Sequence, residues 1–245
     1  MRDAIVGGGV VGLASAYRLA ERGADVTVFE KDALGSGSTG RANGGIRTQF
    51  TSAVNVALSL ESIDVWERFE AEFGVDLGHR HTGYLFLART PDTADRLREN
   101  VALQNDLGVS SRYLSPEAAR EHCPGLYADR YVGAAYGPTD LDWAARTLEG
   151  AAAVASYFGP DTELVRGWAG LYAVTPDRHP IIEETVPGFV NAVGFSGHGF
   201  MQSPATGRVV AELVLDGGSR TVDVSALTAD RFERGETLHE GTVID

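Results

Sequence analysis

An α/β (α+β) fold is predicted for this chain, and three stretches predict it. Residues 3–30 read as strand, glycine turn, helix and second strand. Residues 75–88 read as two strands around a polar turn, and residues 189–215 again read as strand, glycine-rich turn and helix. A strand–helix–strand crossover produces a parallel pair, whereas strands joined by a short turn pair antiparallel. The expected architecture is therefore a central parallel sheet with helices, plus a smaller antiparallel sheet.

The opening stretch organises the rest. Asp3-Ala4-Ile5-Val6 is a short apolar run, followed by Gly7-Gly8-Gly9-Val10-Val11-Gly12 and then by helical spacing from Leu13 to Ala20. Gly23 ends the helix, and 25–30 form the second strand. Gly7 suits the tight turn out of the strand. Gly9 lets a pyrophosphate approach the backbone, and Gly12 lets the helix pack close on the strand. Free N–H groups at the helix start, with Val10 and Val11 in its first turn, suit the pyrophosphate. Glu30 closes the second strand, where an acid can bond the ribose hydroxyls of an adenosine. This is a Rossmann-like dinucleotide-binding unit; the alternative is an ordinary glycine-rich turn in a parallel sheet.

Composition narrows the class. At 245 residues the chain can bury one large core or two modest ones, and its 43% hydrophobic content is that of a soluble globular protein. No apolar run reaches the length of a membrane span and the start does not read as a secretory signal, so a cytoplasmic protein beginning at Met1 is expected. A net charge of −13 argues against nucleic acid as a partner. Lys31 is the sole lysine among 21 basic residues, and an acidic, lysine-poor surface suggests a halophilic source. Cys123 stands alone, which removes a disulfide framework and a cysteine zinc site.

Residues 34–47 carry Gly35-Ser36-Gly37-Ser38-Thr39-Gly40-Arg41-Ala42-Asn43-Gly44-Gly45-Ile46-Arg47. So many glycines and hydroxyls make either a flexible linker or a loop laid against a ligand. Arg41, Asn43 and Arg47, directly after a nucleotide-binding strand, favour the ligand loop. With the opening unit, this loop resembles the D-amino-acid oxidase and sarcosine oxidase superfamily of FAD enzymes. The resemblance implies FAD contacts from Lys31, Ser38, Thr39, Arg41, Gly44, Gly45 and Ile46. It also implies a basic residue beside the flavin face at Arg47.

One helix is expected over 52–73, with Leu58, Ile63, Val65, Trp66, Phe69 and Phe73 on its apolar face and Gly74 as its stop. Strands are expected at 75–77 and 84–88. His79 and His81 lie between them without the acid or cysteine pattern of a metal site, so no metal is assigned. An amphipathic helix is expected over 91–107. Ser115-Pro116 opens another, with serine as cap and proline in the first turn. Residues 130–142, ahead of a helix at 143–155, resemble the family's return from substrate domain to FAD domain. The expected division is a discontinuous FAD-binding domain of 1–78 and 137–245, with 79–136 as a reduced substrate domain. Family members are longer, and the pattern skips a central block near 155–157.

The closing segment is as specific as the opening one. Thr175-Pro176-Asp177-Arg178-His179-Pro180 and Gly194-Phe195-Ser196-Gly197-His198-Gly199-Phe200-Met201 resemble the family's two C-terminal signatures. A strand at 189–193, a glycine turn and a helix over 204–215 would aim free N–H groups at a polar ring edge. Gly197, His198, Gly199, Phe200 and Met201 are the implied contacts, with His198 nearest the ring; its plainer reading is a turn histidine bonded to backbone. Residues 223–245 read as a polar arm returning to the surface.

The resemblance implies oxidation of a secondary or tertiary amino acid such as sarcosine, dimethylglycine or proline, with a hydride passing to flavin N5. Two departures qualify it. Family oxidases carry lysine where Met201 stands, which points to a dehydrogenase that uses an electron-acceptor protein or subunit. Gly170 lies near the position of the cysteine that tethers FAD in monomeric sarcosine oxidases, so FAD is expected to bind non-covalently. Arg47 is the expected anchor for the substrate carboxylate. The alternatives are an inactive remnant or subunit that keeps only dinucleotide binding, and an NAD-dependent dehydrogenase. The Ser-Gly-Ser-Thr loop and the Gly-His-Gly turn speak against the second.

Overall fold

A computed structural model of the chain describes residues 2–79, 81–140, 155–156 and 169–241. The opening unit forms as expected. Strand β1 (Arg2–Val6) leads through the glycine turn into helix α1 (Val10–Glu21). Strand β2 (Asp25–Phe29) then pairs parallel with β1, Ala4 opposite Thr27. Gly23 takes φ +85° after α1, a left-handed conformation that glycine adopts without strain. The described part of the parallel sheet is these two strands.

The expected single helix over 52–73 is two. Helix α2 (Ala53–Glu67) and helix α3 (Phe69–Phe73) meet at Arg68, whose φ −95° and ψ 4° break the helical path. Gly74 stops α3 at φ +69°. Apolar periodicity could not reveal the break, because α2 buries several faces: Val54, Leu58, Ile63, Val65 and Trp66 are all covered. The strand expected at 75–77 does not form; those residues are irregular.

Strand β3 (Tyr84–Ala88), strand β4 (Arg112–Leu114) and strand β5 (Gly133–Gly137) form an antiparallel sheet in the order β3-β5-β4. Helix α4 (Pro91–Asp106) covers it by packing Ala94, Leu97 and Val101 against Ala88 and Ala135. Thr90 caps α4 by accepting from Thr93 N. Ser115 caps the short helix α5 (Pro116–Ala119) by accepting from Ala118 N at 3.2 Å, as its sequence predicts. The helix expected over 143–155 and the segment 157–168 fall outside the described residues, apart from Ala155, which bridges to Leu126.

Strand β6 (Ile181–Val186) and strand β7 (Phe189–Val193) form an antiparallel hairpin that feeds helix α6 (Gly199–Asp216). Helix α6 begins five residues earlier than its sequence suggests, with Pro204 inside it. Proline removes one helical N–H and clashes with the preceding turn. The neighbourhood compensates: Ser203 Oγ donates to Phe200 O at 2.9 Å, Trp66 Nε1 donates to Met201 O at 2.9 Å, and Ala205 N donates to Ser62 Oγ at 3.1 Å. Two of these partners come from α2, so the proline turn of α6 is completed by another helix.

Helix α6 packs along α1. A Cβ on Gly207 would stand 2.6 Å from the Ala14 backbone, so glycine is what permits the close crossing. The polar arm expected at the surface is instead tied into the core. Arg231, in the short helix α7 (Arg231–Arg234), meets Asp177 at 2.7 Å, and each side chain is 1% exposed. Glu240 is also buried, beneath the start of α2. Polarity along 223–241 misled because two of its charged residues, Arg231 and Glu240, have buried partners far away in the chain.

Candidate functional site

Two of the opening glycines are required by the backbone geometry. Gly7 adopts φ +107°, and a Cβ on Gly12 would fall inside the contact shell of Gly7 O. A Cβ on Gly9 would stand 3.3 Å from Thr39 Oγ1, which accepts from Val10 N at 3.0 Å. Gly9 offers α1 no side-chain cap and its first turn holds no acid; Thr39 takes the Val10 N–H, and no other N–H of that turn is bonded by a side chain among the described residues. Glu30 accepts from Gly8 N at 2.7 Å and from Asp32 N at 3.1 Å. The Gly8 N–H, then that of Asp32, holds the Glu30 carboxyl below its ordinary range. Glu30 is thus fixed at the end of β2 as an ionised acceptor, and Lys31 beside it is exposed.

Loop 34–47 folds back over this unit. Gly35 N donates to Gly8 O at 2.8 Å. Arg41 donates to Ser36 O at 2.5 Å and to Gly37 O at 3.0 Å, so it braces its own loop. Ser38 Oγ donates to Leu171 O at 2.7 Å, and a Cβ on Gly170 would stand 3.1 Å from Arg41 Cβ. The ring of Tyr172 in turn closes on Gly197, which has φ +93°. Residues 170–172 therefore connect the loop to the C-terminal turn. Gly44 takes φ +75°, and a Cβ on Gly45 would clash with the Tyr84 hydroxyl.

The two ends of the chain meet here. Val10 from the first turn of α1, Ile46 from the loop, and Phe200 and Met201 from α6 share one apolar cluster with Ile63 and Trp66. The Trp66 ring stacks on Phe200 at 5.1 Å. Gly199 lies against Phe195, where a Cβ would stand 3.1 Å away. Ile46 and Met201 thus reach the site through backbone, with their side chains packed into its floor.

Beside this floor sits a charged group of residues. The Arg47 guanidinium stands over the Phe50 ring at 4.5 Å and the Phe86 ring at 5.6 Å. The His198 ring meets Phe50 edge-on at 5.0 Å. His198 is 9% exposed, and its Nδ1 is buried without a hydrogen-bond partner among the described residues. Burial, then the nearby Arg47 charge, pushes its pKa down to about 4. Burial also lowers the Arg47 pKa, opposed by Glu240, Tyr84 and Asp140. Asp140 is fully buried and accepts from Thr48 N at 2.6 Å and Thr48 Oγ1 at 2.7 Å. Burial dominates and raises its pKa to about 6, against the Thr48 bonds and Arg47.

These two groups should titrate in opposite senses. A histidine depressed from 6.5 to about 4 costs stability as pH falls through that interval, since only the unfolded chain takes the proton. An aspartate raised from 3.8 to about 6 costs stability as pH rises through its interval. Histidine ring shifts followed by NMR should show His198 neutral at pH 7 and titrating near 4. Titration near its ordinary value would mean that the ring is open to water.

Arg47 and His198, both expected from the sequence, are brought together on Phe50, which the sequence did not single out, nor did it single out Asp140 or Glu240. Asp140 lay in a stretch quoted only for its family likeness, and Glu240 in a stretch read as exposed. Nothing in local pattern marks either. His79 and His81 stay apart from this group, lining a small cleft with Trp66, Phe69 and Asp76, and no metal-binding cluster forms among the described residues.

The model of the DAO family, FAD dependent oxidoreductases, matches residues 4–155 and 140–213. The chain belongs to this family. Glycine oxidase of Geobacillus kaustophilus is 36% identical over 160 residues, covering 62% of this chain and 42% of that protein. The mitochondrial dimethylglycine dehydrogenase of Rattus norvegicus is 35% identical over 138 residues, 56% of this chain and 16% of that protein. Among solved structures, L-proline dehydrogenase from P. horikoshii superposes with a TM-score of 0.83 at 25% identity, over 97% of this chain and 99% of that one. The chain thus spans less than half the length of these two curated relatives. The two family-model matches overlap at residues 140–155 rather than running on as one.

The residues fit FAD on structural grounds. The glycine turn of this family member excludes any Cβ at position 12, the first turn of α1 carries no acid and among the described residues has only its Val10 N–H bonded by a side chain, and Glu30 is held as an anion. No helix among the described residues is long and apolar enough to cross a membrane.

Proposed function

We propose that the chain binds FAD non-covalently and belongs to an enzyme that oxidises the C–N bond of a secondary or tertiary amino acid. The observation carrying this reading is the shared cluster of Val10, Ile46, Phe200 and Met201, beside which Arg47 and His198 meet on Phe50. Residues 1–78 and 137–245 form the cofactor-binding part, and 79–136 a reduced substrate part. A central block that longer relatives carry is absent near 155–157, a reading supported by the family-model match falling into two overlapping pieces.

Bound FAD would supply the two-electron acceptor for the oxidation. The protein's own residues do the rest. The first turn of α1 and Gly9 would hold the pyrophosphate, Glu30 would accept from the adenosine ribose, and Ser38 and Thr39 would offer their hydroxyls along the loop. Arg47 anchors the substrate carboxylate as a cation held between two aromatic rings. His198, kept neutral by burial, can donate or accept one hydrogen bond at its free Nδ1 without adding charge. Met201 puts an apolar side chain where a cation would help oxygen react. This favours a dehydrogenase that hands electrons to a partner protein or subunit.

Purified protein should carry flavin absorbance that bleaches under anaerobic conditions on adding sarcosine, dimethylglycine or proline. Recolouring in air should be slow, with little peroxide. Flavin bands that ignore all three amines would favour the inactive subunit instead. Rapid peroxide release would overturn the dehydrogenase assignment.

A further inference from the structure

We propose that Asp140 and Glu240 are positioning residues for Arg47: they balance its charge from a distance while leaving its guanidinium free to grip a carboxylate. The proposal rests on the reading of Arg47 as the substrate anchor.

A cation half-buried among apolar rings still needs compensating negative charge. The obvious compensation, a direct ion pair, would also occupy the donors that a substrate carboxylate must use. Arg47 forms no ion pair among the described residues; its guanidinium is held by Phe50 and Phe86. Two acids stand nearby, and each has its oxygens engaged elsewhere. Asp140 Oδ1 accepts from Thr48 N and Thr48 Oγ1, at 2.6 and 2.7 Å. With its amide turned to satisfy both neighbours, Gln49 donates to Asp140 Oδ2 at 3.1 Å and accepts from Gly137 N at 3.2 Å. Glu240 Oε1 accepts from Thr51 N and Thr51 Oγ1, both at 2.8 Å. Its Oε2 accepts from Ser52 Oγ and Asn55 Nδ2, both at 3.3 Å.

The donors come from residues 48–55, the segment that immediately follows Arg47 and enters α2. Thr48, Gln49, Thr51, Ser52 and Asn55 thus clamp both carboxylates in place and keep them from collapsing onto the guanidinium. Asn55 Oδ1 also accepts from Gln202 Nε2 at 3.2 Å, and His179 Nε2 contacts Ser52 Oγ at 3.2 Å. The clamp is thereby anchored to α6 and to the turn before β6. Among the described residues, the charged or titratable groups acting on Arg47 and its neighbour His198 are Asp140, Glu240, Tyr84 and His179.

If the two acids only balance charge, removing either should strengthen the grip of Arg47 on an anion. If they merely hold structure, removal should weaken it. The probe is acetate titrated into the full-length FAD-free protein, followed by the His198 ring signals in NMR. Asp140→Asn and Glu240→Gln are each expected to bind acetate more tightly than wild type, by about threefold or more. Arg47→Leu is expected to abolish the effect. Circular dichroism checks that each variant is folded; either variant alone suffices if the other does not fold. Equal or weaker acetate binding in the folded variants overturns the proposal while leaving the anchor reading in place. Acetate binding that survives Arg47→Leu, or is absent from wild type, overturns both.

Discussion

Alanine at position 12 is expected to strip FAD from the protein. A single methyl group there would strike the Gly7 carbonyl oxygen, and would approach Ile5 as well. Relief requires α1 to move off β1, and overpacking of this kind costs about 1–3 kcal/mol. The same movement turns the positive end of the helix away from the pyrophosphate. A fall of at least about tenfold in FAD affinity follows if some 1.4 kcal/mol of the binding energy is lost. Flavin absorbance per polypeptide after gel filtration measures it. Gly218→Ala is the control, since nothing lies within 4 Å of the added carbon. Gly12→Ala protein that keeps its full complement of flavin would refute the role given to the opening turn.

Replacing Arg231 by leucine should produce the largest loss of stability. The guanidinium bonds Asp177 through Nε at 2.7 Å and Nη2 at 2.9 Å, and also donates to the carbonyls of Thr228 and His179. Removing it strands a carboxylate that is 1% exposed. Breaking one side of such a buried pair costs about 3–5 kcal/mol. Urea unfolding should show that loss, and a second change, Asp177→Asn, should recover part of it. A loss below about 1 kcal/mol, the range of an exposed pair, would contradict the burial seen here.

The same pair sets an acid limit. Burial alone would raise the Asp177 carboxyl, but Arg231 and the N–H groups of His179 and Leu238 outweigh it and hold it at about 2. A carboxylate with a lowered pKa contributes stability above its unfolded value near 3.8, and that stability is lost as pH falls towards 2. Leucine at 231 should flatten the pH dependence in this window.

The sequence was most legible where structure is decided locally. Strand, turn and helix around Gly7, Gly9 and Gly12 could be read because backbone sterics leave few alternatives. The serine cap at Ser115 could be read for the same reason. It was least legible where partners lie far apart in the chain. Pro204 looked like a helix start because proline suits the first turn, yet Trp66 and Ser62 satisfy the groups it frees. Arg231 and Glu240 looked like surface charges because their partners, Asp177 and residues 51–55, lie far away in the chain. The break at Arg68 was hidden because apolar residues lie on several faces of α2 and run on into α3. Within the site, Arg47 and His198 were legible as residue types in glycine-rich context. The acids that govern them were not, because burial and not sequence gives Asp140 its raised pKa.

The crossing of α1 and α6 at Ala14 and Gly207 has a consequence for how the chain comes into being. Gly207 lies 193 residues after Ala14, so α1 is synthesised well before the surface that covers it. Until residues 199–216 have emerged, the side of α1 that faces α6 stays uncovered, and this part of the molecule cannot fold in step with synthesis. Nascent chains stalled before residue 199 should depend on chaperones far more than chains that have passed residue 216.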